Sequence, residues 1–379
     1  MISNKRAIAY GIALVIATSV INITIPMFLG NKVVISRESY ELYKKYNKML
    51  SLEGLVKEDF YQEVNEDELV DGAIKGMFYG LNDPYSQYYT KAEFDTLKEQ
   101  TTGSFVGIGV YLSAESEDIL VISPIEGSPA QKAGIQAGDK IFKVDGEPVY
   151  GSDLDNAMTR IRGKEGTEVE LTIKRNETIL DITVKREEIV SKTIESKKLE
   201  DNMGYIKITS FNETTYDDFK EALDELGNMN GLVIDVRDNP GGLLNVCEDI
   251  VDDLIGEGTI VYTKDNKGNT EYLKSDVNKV DVNIAVLTNG SSASASEILT
   301  GAIIDNEAGI SVGTTTFGKG LVQSVRELHD GTGYKLTTAQ YYTPNGDYIN
   351  GKGIEPTILE EDEEKQLQVA LDWLKQENK

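Results

Sequence analysis

One cysteine and one histidine stand in 379 residues, and each scarcity closes off a class of chemistry. Cys247 has no partner for an internal disulfide. It lies in an apolar stretch and reads as core. One Cys with one His cannot supply the common zinc ligand sets, so neither a metal nor a cofactor is expected, and EDTA should be without effect. Positive charge is scarce as well. Against 64 Asp and Glu there are 38 Lys and Arg, a net charge of −26, which argues against nucleic acid as a partner. One long uncharged run is present, from Ala7 to Gly30 behind Lys5 and Arg6. It is long enough to cross a bilayer core of about 30 Å. Its cationic flank would stay in the cytoplasm and leave the rest of the chain outside. The run ends Ile25-Pro26-Met27-Phe28-Leu29, with no small-x-small cleavage site close behind. An uncleaved signal anchor, making a single-pass protein of the cell membrane, is therefore favoured over secretion after signal cleavage.

What is present centres on Asn289 to Gln323. The apolar run Ile284-Ala285-Val286-Leu287 reads as a buried strand, and Asn289-Gly290-Ser291-Ser292 as a turn. A helix is predicted to start within Ala293-Ser294-Ala295-Ser296-Glu297, with a second strand from Ile310 to Val312. Such strand–helix–strand crossovers favour a parallel sheet. Sites in such sheets lie beyond the carboxyl ends of strands, where helix N-termini offer free N–H groups. A serine there needs a base. His329 is one candidate. Lys319 is the other, flanked by Gly318 and Gly320; in an apolar pocket a lysine loses its preference for the charged form and can take the serine proton.

Ser-Ala-Ser-Ala-Ser-Glu followed by Thr-Phe-Gly-Lys-Gly-Leu-Val-Gln resembles the C-terminal processing (tail-specific) serine peptidases. The resemblance implies a Ser/Lys dyad at Ser294 and Lys319, with Gln323 orienting the lysine. It leaves Ser292 and Ser296 as structural residues and Glu297 as a first-turn acid suited to the helix dipole. A glycine of Asn239-Pro240-Gly241-Gly242 would be one oxyanion donor, Gly242 being preferred over Gly241, and the N–H of Ala295 the second. The fold implied is an α/β protease core, a ClpP/crotonase-like mixed sheet with helices, carrying an inserted PDZ β-domain and an N-terminal helical segment.

The expected organisation is an anchor at 1–32, a helical segment at 33–100, a PDZ domain at 101–188 and the peptidase core with its C-terminal helix at 189–379. In the helical segment Tyr40, Leu42, Tyr43 and Tyr46 recur near helical spacing. Asn65-x-x-Glu68 reads as a helix start, and Leu69, Ala73, Met77 and Gly80 as one face. Relatives can dimerise through such helices, so the aromatic face is read either as a homodimer contact or as core. In the next segment Phe105-Val106-Gly107-Ile108-Gly109 would bare backbone N–H groups able to hold a peptide carboxylate. Ser128-Pro129-Ala130 opens a short helix. The order of motifs resembles a PDZ domain, and Arg162 matches an arginine that couples bound peptide to activation in relatives.

The substrate class so implied is proteins or peptides with free C-termini. Two rivals remain at this stage: a catalytically idle, membrane-tethered PDZ adaptor, and an esterase using the same serine.

Overall fold

In a computed structural model, the described residues are 36–377 apart from 116, together with 10 and 14–16. Most of the apolar run 7–30 thus lies outside the described residues. Among those described, no helix is long and apolar enough to cross a membrane. The chain divides into two units after Ile74.

The first unit holds α1 (Arg37–Asp59) and the start of α2 (Glu66–Tyr79). Ser36 caps α1 by accepting the Ser39 N–H. Asn65 does the same for α2, accepting from Asp67 N–H while its amide donates to Glu68. Neither helix has a fully buried residue. The predicted face of α2 holds only at Leu69, which is half-buried, as are Ile74 and Phe78, while Ala73, Met77 and Gly80 are exposed. The face that packs is instead that of Phe78, whose ring meets those of Tyr88 and Tyr334.

The second unit begins inside α2. The stretch expected to be helical to residue 100 is interrupted by a short strand, β1 (Gln87–Tyr89), before α3 (Lys91–Thr102). Thr90 and Glu93 form a capping box at the start of α3.

The PDZ segment follows. Strands β2 (Ser104–Gly107), β3 (Val110–Glu115) and β4 (Asp118–Pro124) lead to α4 (Pro129–Lys132). Then come β5 (Lys140–Val144), β6 (Glu147–Pro148), α5 (Leu154–Ile161), β7 (Glu168–Arg175), β8 (Thr178–Lys185) and β9 (Glu187–Val190). An antiparallel sheet in the order β3-β4-β5-β7-β8 encloses its own core of Ile119, Ile141, Leu171 and Ile173. Strands β2 and β9, the ways in and out, pair with each other.

The rest of the chain is layered. It runs β10 (Ile194–Lys198), β11 (Met203–Ile208), α6 (Thr215–Leu226), β12 (Gly231–Asp235), α7 (Leu244–Asp252). It continues β13 (Gly258–Asp265), β14 (Thr270–Ser275), β15 (Asn283–Thr288), α8 (Ala295–Asp305), β16 (Gly309–Gly313). It ends β17 (Leu321–Glu327), β18 (Gly333–Tyr342), β19 (Ile358–Leu359) and α9 (Glu363–Glu377). The main sheet has the order β10-β11-β12-β15-β16-β19, parallel except for β10. Its strands are apolar on both faces, as a covered parallel sheet requires. Ile206, Ile234 and Val286 face one core, and Tyr205, Val233 and Ala285 the other, beneath α9. Helix α8 is apolar all round because it touches the main sheet on one side and a second, antiparallel sheet on the other. Of that second sheet, β1-β18-β13-β14 with β17 on β18, the sequence shows β18 alone, as a strand from Tyr334 to Tyr342.

Candidate active site

The helix α8 opens at a residue whose backbone is strained. Ser294 has φ 54° and ψ −111°, a region that costs a non-glycine residue about 1–3 kcal/mol and persists only when its surroundings impose it. Two contacts impose it here. The Ser294 N–H donates to Glu297 Oε2 at 2.8 Å. Gly241 lies so close that a Cβ on it would come within 2.9 Å of the Ser294 Cβ and 2.7 Å of the Ala293 carbonyl oxygen. The strain turns Ser294 outward. Its neighbours turn inward: Ser292 donates its hydroxyl to the Val236 carbonyl at 2.8 Å, and Ser296 donates to the Asn239 carbonyl at 3.0 Å. Both are fully buried, whereas Ser294 is partly open.

Asn239 is the strut beneath this turn. Its amide donates to Ile208 and its oxygen accepts the Gly241 N–H at 2.8 Å. Its own carbonyl also takes the Ala293 N–H. The Gly241 N–H is thereby used, while that of Gly242 has no partner among the described residues. The Ala295 N–H, at the first turn of α8, is equally without one, as helix N-termini leave their first donors. A Cβ on Gly242 would strike the Phe211 carbonyl at 2.1 Å, so only glycine lets the loop pass there.

Lys319 lies in the loop before β17, half-buried. Burial pushes its pKa below the ordinary lysine value, and the charge of Lys335 pushes the same way; Glu297 and Asp83 oppose them. Its Nζ has no hydrogen-bond acceptor among the described residues and sits over the ring of Tyr85, 4.7 Å from the centroid. Gln323 follows at a bulge in the β17–β18 pairing. Its amide donates to the Leu321 carbonyl at 3.2 Å and approaches the Thr337 hydroxyl at 3.5 Å.

Ser294, Lys319, Gln323, Gly242 and Ala295 all line one cleft of about 470 Å³, a size suited to an organic ligand rather than to water alone. His329 is exposed at the tip of the β17–β18 hairpin and lines no part of it. Arg162 and residues 105–109 also lie away from the cleft, in the PDZ segment. Arg162 donates to Glu99 of α3 at 2.6 Å and lies over the Phe105 ring. Ile108 and Gly109 each have a carbonyl engaged but an N–H without a partner among the described residues.

Glu297 does far more than complement a helix dipole. Fully buried, it accepts from Thr316 at 2.6 Å and from the N–H groups of Gly318 and Lys319 at 2.7 and 2.8 Å, besides that of Ser294. One carboxylate thus fixes the backbone on both sides of the cleft. Tyr341 adds to this, donating to the Lys319 carbonyl and lying 3.2 Å from that of Ser294. Burial and the Glu297 charge raise its phenol pKa well above the usual value. The acid's place three residues after Ser294 was visible in sequence, but its partners beyond residue 315 were not. Cys247 packs under the same turn, fully buried, with its thiol on the Ala295 carbonyl.

A reachable serine in a strained turn, lining one cleft with a half-buried lysine, suits a serine-type hydrolase, and comparison with known proteins narrows the class to a peptidase. Residues 202–359 match peptidase family S41 and residues 106–185 match the PDZ domain. Residues 30–93 match the N-terminal domain of activating protease CtpB. The chain is 38% identical over 355 residues to the carboxy-terminal processing protease CtpA of Bacillus subtilis, covering 92% of this chain and 76% of that one. It is 37% identical over 353 residues to a CtpA-like serine protease of Staphylococcus aureus, covering 92% and 71%. A solved photosystem II D1 C-terminal processing protease matches with TM-score 0.52 and 28% identity, over 86% of this chain and 87% of that one. The chain belongs to peptidase family S41 and is a serine-type peptidase of the C-terminal processing kind.

Proposed function

We propose that the protein is an endopeptidase with a Ser294/Lys319 dyad that cleaves proteins near or from their C-termini. The observation that carries this reading is that, of the three serines in the motif, Ser294 opens into the cleft that Lys319 also lines, while the other two are buried and bonded. Ser294 Oγ attacks the scissile carbonyl and passes its proton to Lys319 Nζ. The N–H groups of Gly242 and Ala295, free of other partners, receive the oxyanion. Collapse of the intermediate expels the amine, which takes the proton from Lys319, and leaves an acyl-enzyme. Water, deprotonated by the same lysine, then releases the new C-terminus. The oxygen of the Gln323 amide accepts no hydrogen bond among the described residues and is available to hold the lysine during these transfers.

The substrate's own C-terminus is held by the loop 105–109, where the Ile108 and Gly109 N–H groups await a carboxylate. Arg162, bonded to α3 by way of Glu99, relays that binding. The exposed Tyr40, Leu42, Tyr43 and Tyr46 of α1 suit a homodimer. The N-terminal apolar run serves as a membrane anchor with the catalytic part outside the cytoplasm. Protease added to wall-stripped cells should then remove the catalytic part; its protection would invert the topology. A labelled unfolded protein tests the activity: new N-termini that vanish with Ser294→Ala are expected. Binding without cleavage would leave the adaptor, and hydrolysis of esters alone the esterase.

A further inference from the structure

A turn far upstream of the dyad reaches the base. Asp83 builds it: one carboxylate oxygen accepts the Tyr85 N–H at 3.1 Å and the other the Ser86 hydroxyl at 2.5 Å. The Ser86 oxygen in turn accepts the Thr337 N–H at 2.9 Å. Strand β1 follows at once and pairs with β18, Gln87 opposite Lys335 and Tyr89 opposite Gly333. The turn is thus stitched to the sheet that carries Lys335 and Tyr341, and it delivers the half-buried Tyr85 ring to Lys319.

A half-buried ammonium with no acceptor is costly. A carboxylate there would hold the charge but raise the lysine pKa and make it a poorer base. An aromatic face holds a cation more weakly and cannot take its proton. We propose that Tyr85 is a positioning residue for the general base, its ring seating the Lys319 side chain toward the cleft. The proposal rests on Lys319 being that base.

The groups facing Lys319 are Lys335 from β18, Glu297 from α8, and Asp83 and Tyr85 from the turn, with the Tyr341 hydroxyl of β18 on its backbone carbonyl. Tyr85→Leu keeps the site covered but removes the π face. The expected result is a fall in kcat of about tenfold with KM little changed, since misplacement of a catalytic group acts on the transition state. The acid limb of the pH–rate profile should also move to lower pH, because the charged lysine loses a stabilising neighbour. Tyr85→Phe, which retains the ring, should keep most of the rate and leave the limb in place. If Tyr85→Leu unfolds at a lower temperature than the assay allows, Tyr85→Met replaces it. A Leu or Met variant with wild-type kcat and limb overturns the proposal, and so does a Phe variant as impaired as Leu. Lys319→Ala, assayed alongside, separates the two levels. If it is dead while Tyr85→Leu is unaltered, the dyad stands and the role of Tyr85 falls. If it is active, both fall.

Discussion

Two regions of this molecule bare backbone N–H groups: the turns at Gly242 and Ala295, and the loop at Ile108 and Gly109. Both use glycine where a side chain would collide, Gly242 against Phe211 and Gly109 against Ser128. They differ in what stands beside the amides. The first has a strained hydroxyl, a lysine whose pKa is lowered by burial, and a buried carboxylate fixing both backbones. The second has apolar packing around Ile108, with no titrating side chain bonded to either residue. A row of free amides can hold an anion anywhere; chemistry needs a nucleophile and a group that changes protonation beside it.

The sharpest way to break that contrast is at the serines. Ser294→Ala should lower cleavage by about 10⁴–10⁶-fold with the fold intact. Ser292→Ala and Ser296→Ala should instead cost about 1 kcal/mol of stability each, by removing a buried hydrogen bond to the Val236 or Asn239 carbonyl, and retain most activity. Thermal unfolding and peptide cleavage, measured together, separate the two outcomes. Glu297→Gln should come next. A carboxamide has one acceptor oxygen where three N–H groups and a hydroxyl now converge. A fall in kcat of roughly 10–100-fold is expected, with lower stability; a variant with wild-type kcat would show that the carboxylate does not hold the site.

The proposed carboxylate-holding role of loop 105–109 offers a smaller effect. Amidating the C-terminus of a peptide substrate should lower kcat/KM by about tenfold, the scale of one charge-assisted contact. Equal rates for acid and amide would remove the loop's role. Arg162→Ala should lower peptide cleavage while sparing hydrolysis of a small ester at Ser294. The smallest effect is one of pH. As the proposed base Lys319 must be neutral, so the rate should rise as it loses its proton. Lys335 lowers the Lys319 pKa by like charge; Lys335→Gln removes that charge, and the acid limb should move to higher pH. A limb that stays in place would mean that another group controls it.

The same contrast explains what the sequence made legible. The buried parallel strands could be read because two-sided burial leaves unbroken apolar runs such as Leu232-Val233-Ile234, and the PDZ segment because its glycine turns punctuate it. Ser294 and Lys319 stood out because each sits in a dense local motif. The antiparallel sheet stayed hidden apart from its strand β18, read from Tyr334 to Tyr342. Strand β13 buries only Ile260 and Val261, too little for a clear alternation, and β1 is three residues whose partner lies at the far end of the chain. Glu297 and Tyr85 share that difficulty. Each earns its place through contacts with residues that only the folded sheet brings near.

The dyad is tested most directly by treating the enzyme with a fluorophosphonate and locating the adduct by peptide mass spectrometry. A single adduct on Ser294 is expected, forming faster as pH rises and lost in Lys319→Ala while His329→Ala still labels. An adduct on another serine, or undiminished labelling of Ser294 without Lys319, would contradict the account.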